Sequence, residues 1–131
     1  MIVTNSQILS NPEEHALVMP IADVAAQLVD LLGYRTVSVI VGVTQARTIR
    51  LWVEGETRPP EPTDDKLRFT LQAALIIRQQ FPHSTVGLFF RGMNHRLGDH
   101  SPAMVIREDY REETRHAILG AARSFMTMDG S

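Results

Sequence analysis

The chain has 131 residues, 44% of them apolar, no cysteine and a formal net charge of −2 at pH 7. That length suits one compact domain or two small helical subdomains sharing a core, and the apolar share argues against disorder. Without cysteine there is no disulfide framework and no thiolate zinc site, and a pI near 6.2 is low for a dedicated nucleic-acid binder.

The start, MIVTNSQILSNPEEH, lacks the basic n-region and long apolar core of a signal peptide. No apolar run is read as approaching the roughly 20 residues of a bilayer span. A cytoplasmic protein with no membrane partner is expected. Asn11-Pro12-Glu13-Glu14 resembles a cap, a first-turn proline and favourable acids, giving either a short helix to Val18 or a docked arm. From Pro20, Ile21, Val24, Ala25, Leu28, Leu31 and Leu32 fall at helical spacing, and Gly33 closes that helix. Tyr34 to Val43 is rich in β-branched residues, so propensity alone favours a strand from Thr36. A short helix is preferred, because a lone buried strand would have no partner.

Val41 to Pro60, VGVTQARTIRLWVEGETRPP, reads as a sharp turn, a second helix and an exit loop. Gly42 supplies the turn and Thr44 or Gln45 opens the helix, with Thr44 able to cap it. Ile49 and Trp52 share one face and pack inward. Thr44, Gln45, Arg47, Thr48 and Arg50 are left as candidate DNA-binding residues, polar groups suited to base edges and phosphates. Gly55 ends the helix and Pro59-Pro60 prevents its resumption. Residues 34 to 68 hold six basic groups and five acids, and most of the acids follow the second helix.

Pro62-Thr63-Asp64-Asp65 offers a cap and first-turn acids for a long helix from about Asp64 to Gln80. Its apolar residues nearly complete the circle, so it has to be covered on most sides, as a central strut. Ser84 is positioned to cap a short helix through Val86, Leu88, Phe89 and Phe90. Arg91 to Pro102 is a turn-rich connection, in which Ser101 or His100 precedes a proline-led turn. A final helix is expected from Asp109, with Met126 to Ser131 as a loose tail. His95, Asp99 and His100 are too irregularly spaced for a metal site. Asp64-Asp65 and Glu112-Glu113 are explained by helix dipoles rather than by acid–base chemistry. No catalytic residue, metal or cofactor is expected, and no enzyme.

Two stretches together resemble one family. The first is VGVTQARTIRLWVEGETRPP, with Ile49, Trp52 and Gly55 at the spacing of an Xre-type helix-turn-helix. The second is Leu71 to Asp109, with landmarks Phe89-Phe90, Asn94, Leu97-Gly98 and Ser101-Pro102. It resembles the toxin-binding domain of the Xre–MbcA–ParS antitoxins. One departure is that Gly42 to Ile49 is a residue longer than the usual spacing. The resemblance implies an all-α fold, in which an Xre-like helix-turn-helix bundle shares a long central helix with a small C-terminal helical domain. Its divisions would be 1–19 (N-terminal arm or short helix), 20–62 (helix-turn-helix) and 63–131 (central helix and toxin-binding or dimerisation domain). It implies a homodimer that blocks the active site of an NAD-degrading RES-domain toxin and represses its own operon by binding operator DNA. Carried over, Arg123, Met126, Met128 and Asp129 become candidate partner contacts. The alternative is a stand-alone transcriptional regulator whose C-terminal half serves only to dimerise.

Overall fold

The computed structural model describes residues 12–128, and the regular elements among them are helices. In chain order they are α1 (Pro12–Val18), α2 (Ile21–Val41), α3 (Ala46–Val53), α4 (Thr63–Arg78), α5 (His83–Arg91), a 3-10 turn (His95–Leu97), α6 (Pro102–Glu108) and α7 (Glu112–Met128). The fold is all-α. The run from Thr36 is helical as far as Val41, and it buries Thr36, Val37 and Ile40 along one side. Packing on neighbouring helices overrides its β-branched propensity.

α2 changes direction at a kink in its middle. Gly33 has φ 85° and ψ 158°, far from helical values, so α2 consists of two arms, 21–32 and 34–41. An L side chain rarely takes that conformation, whereas glycine does so freely. By length and composition α2 is apolar enough to cross a membrane, with a mean hydropathy of 1.4, which corrects the expectation that no such stretch exists. Here it is bent at its middle and packs on α3, α4, α5 and α6.

α4 lies against α1, α2, α5 and α7, and its buried residues, among them Leu67, Phe69, Leu71, Ile76 and Ile77, occupy much of its circumference. One hydrophobic cluster runs from Ala16 through Ile49, Trp52 and Phe90 to Ile118 and Ala122. Polar bonds pin the first turns of α4. Arg68 pairs with Asp64 at 2.8 Å and donates to the carbonyl oxygen of Met19 at 2.6 Å, just beyond α1. That contact leaves Arg68 holding the exit of α1, where backbone acceptors lack helical partners. Tyr110 donates its hydroxyl to the Asp65 carboxylate, and its ring meets Phe69 edge-on at 5.8 Å.

Several local expectations are corrected. Thr44 does not cap α3: the N-cap is Gln45, extended and without a side-chain bond to the helix. α4 likewise takes Pro62 as its N-cap without a side-chain bond, while Glu61 accepts from the Asp65 amide at 3.1 Å. Ser84 lies inside α5, whose N-cap is Pro82. The last helix starts at Glu112 and continues through Met128, so Met126 to Met128 are helical rather than a loose tail. Ser101 does cap α6, accepting from Met104 N.

Two outcomes follow from this architecture. Gly33→Ala should lower the unfolding free energy by roughly 1–3 kcal/mol, because a Cβ there meets nothing within 4 Å and the penalty is backbone alone. Urea denaturation measures it, and an unchanged midpoint would show that the break in α2 is not imposed by Gly33. Burial, reinforced by the bond to Asp65, pushes the Tyr110 phenol well above its ordinary value. The folded state therefore keeps this proton at a pH where the unfolded chain has released it. Stability from this group is complete below about pH 10 and falls as pH rises toward the folded value. Tyr110→Phe should cost about 1 kcal/mol at neutral pH and flatten the alkaline decline seen in pH-dependent thermal melts.

Candidate nucleic-acid interface and partner surface

The second arm of α2 ends at Gly42, where φ is 76° and the amide bonds back to the Ser38 carbonyl at 2.8 Å. This left-handed residue stops the helix and turns the chain. Val43, Thr44 and Gln45 complete the turn, and α3 begins at Ala46. Ile49 is fully buried and Trp52 is 4% exposed, so α3 is fixed against α2 through that seam. Arg47 and Arg50, three residues apart, are exposed on the side away from it. Thr44 and Gln45 are exposed at the helix entry, and Thr48 is half-buried on the flank. The five sequence-predicted residues are thus spread along this short helix: Thr44 and Gln45 at its entry, Arg47 in its first turn, Thr48 on the flank and Arg50 in the last turn.

The region holds exposed charges of both signs. Arg35, Arg47, Arg50 and Arg58 are exposed, and none makes an ion pair among the described residues. Glu54 and Glu56 lie beyond the C-terminal end of α3. Elsewhere several acids are matched with bases: Arg68 with Asp64, Arg111 with Asp109 and Glu113, and Arg115 with Asp65 at 3.5 Å. The Arg111 guanidinium holds the exposed Asp109 carboxyl below its ordinary range.

The C-terminal candidates divide. Arg123 is exposed on α7, and Met126 is half-buried against the core. Met128 closes α7, and Asp129 lies outside the described residues. Phe125 is held between Phe81 and Phe89, each 5.5 Å away with rings nearly edge-on. Beside it α5, the loop after it and α7 form an open cleft, where Leu88 and Met93 are 62% and 82% exposed. Sequence reasoning missed these two as surface residues. Leu88 sits among Val86, Phe89 and Phe90, which are buried, and only the helix register reveals that it points the other way.

The loop itself is ordered by short-range bonds. The Asn94 side chain accepts from Arg96 N, and Asn94 N donates to the His100 carbonyl at 3.0 Å. Leu97 is buried, while His95 is almost fully exposed and lies 3.6 Å from Asp99. Among the described residues no group of three or more His, Cys, Asp or Glu is placed to hold a metal ion.

No family model matches the chain, and neither the curated proteins nor the solved structures give a significant match.

Proposed function

We propose that the chain is a cytoplasmic DNA-binding antitoxin. α2's second arm, the Gly42 turn and α3 act as a helix-turn-helix, and the C-terminal half neutralises a RES-domain toxin that degrades NAD. The observation that carries the DNA-facing half is the outward face of α3. Arg47 and Arg50 stand exposed and unpaired there while Ile49 and Trp52 anchor the opposite face. A short helix fixed from behind, with polar groups at its entry and arginines facing outward, meets the needs of major-groove reading. The partner-binding half is supported by the cleft with exposed Leu88 and Met93 beside α7, since apolar groups left in water favour a protein contact. The antitoxin role itself rests on the resemblance of two stretches, Val41 to Pro60 and Leu71 to Asp109, to the Xre–MbcA–ParS family. Blocking a toxin's active site requires no catalytic residue from this chain. Two half-sites related by a dyad are the usual arrangement for such a helix pair, so a homodimer is part of the proposal.

Two experiments decide between the parts. Co-expressed with an NAD-degrading RES-domain toxin encoded beside it, the chain should co-purify with the toxin and restore cellular NAD. NAD that keeps falling in its presence would remove the antitoxin role and leave a stand-alone regulator. In fluorescence-anisotropy titrations with operator-region duplexes, Arg47→Ala and Arg50→Ala should each weaken binding. The slope of log affinity against log salt should fall by about 0.9 for every phosphate that a variant no longer neutralises. Affinity unchanged in both variants would mean that α3 is not the DNA-facing helix.

A further inference from the structure

The second arm of α2, the entry of α3 and α6 meet around an open groove. Its lining includes Tyr34, Arg35, Ser38, Thr44, Ala46 and Arg107. The polar inventory is unbalanced: two guanidinium groups and three hydroxyls, with no carboxylate among the lining residues. Among the described residues the three hydroxyls make no hydrogen bond and Arg35 makes no ion pair. Arg107 donates a guanidinium nitrogen to the Val39 carbonyl at a long 3.5 Å, which holds its head beside the groove without neutralising it. Cationic forks and hydroxyl donors converging without an internal carboxylate match an oxyanion with several acceptor oxygens, a phosphate above all. Position narrows the source. Thr44 and Ala46 flank Gln45 at the entry of α3, so a phosphate in the groove lies next to whatever α3 faces, as a positioning contact does.

We propose that this groove seats a backbone phosphate of the DNA that α3 reads, with Arg35 and Arg107 as its clamp. The proposal rests on the reading of α3 as the DNA-facing helix. It adds a contact from α6, an element of the C-terminal half lying outside the helix pair. Arg107 is then a positioning residue, fixing the protein on the duplex without reading sequence.

The test uses the full-length protein, a labelled random-sequence duplex and a salt series, with Arg47→Ala as reference. Arg107→Ala should bind several-fold more weakly and flatten the salt slope by about 0.9, whereas Arg107→Lys should keep most of the slope. Thermal midpoints are read in parallel, and Arg107→Gln substitutes if the alanine variant does not fold. If Arg107→Ala and Arg107→Gln retain wild-type affinity and slope while Arg47→Ala is impaired in both, the groove is no phosphate seat, yet α3 remains the DNA-facing helix. If the unaltered protein binds no duplex at low salt, both readings fall. An ATP titration separates the sources: Arg107-dependent binding of ATP that duplex does not displace would assign the groove to a free nucleotide and overturn the proposal.

Discussion

The molecule depends on the break at Gly33. A straight helix from Ile21 to Val41 would carry one apolar stripe in one direction. The observed backbone at φ 85° and ψ 158° redirects the chain after Leu32, so the same helix packs on α3 as well as α4, α5 and α6. Side chains from both arms enter a single hydrophobic cluster, Leu28 and Leu32 before the break, Val37 and Ile40 after it. Without that bend the turn at Gly42 would emerge elsewhere, and Ile49 and Trp52 would be deprived of the surface on which they seat α3. The geometry of the DNA-facing candidate is therefore set by a backbone conformation that belongs to a residue with no side chain.

A second consequence is that the two halves share a core. α2 reaches α5 and α6, α4 reaches α1 and α7, and buried residues from Ala16 to Ala122 are joined in one cluster. Polar links cross between elements far apart in sequence: Arg68 to the Met19 carbonyl, Tyr110 to Asp65, and His83 to Asp30 at 2.9 Å. Packed interiors deform little and transmit strain. α6 touches α2 on one side and α7 on the other, so a ligand on either face of the C-terminal half meets the same packed body as the α3 surface.

Much of this is legible in the sequence wherever a rule has one answer. Periodicity places the first arm of α2 and α4, and the Ile49–Trp52 spacing places both residues in the core. The glycines at 33, 42 and 55 all have positive φ, as turn chemistry requires. Caps are read less well, because several residues at each helix entry are chemically able to cap and only the backbone selects among them. Thr44 and Ser84 fit the rule in composition and miss it by position. The end of α7 is hidden for a different reason: Met126 looks like a tail residue until the helix is seen to continue through Met128 and to pack Met126 against the core. Of the candidate site, the α3 residues are legible and the groove is not. Arg35 and Arg107 are far apart in sequence, and only tertiary packing makes them neighbours.

Net charge gives a poor account of the surface for the same reason. A chain of net charge −2 suggests weak attraction to a polyanion, but the sum is taken over groups that do not act together. Asp64, Asp109 and Glu113 are engaged with Arg68 and Arg111, and Asp65 faces both Tyr110 and Arg115. These acids direct their field at near neighbours in and around α4 and α7. Arg35, Arg47, Arg50 and Arg58 have no such counter-ions among the described residues, and at physiological ionic strength charges interact over about 8 Å. What an approaching phosphate meets is therefore set by the groups within that radius. Around the entry of α3 those lining the groove are cationic or neutral, which the net charge of the chain does not reveal.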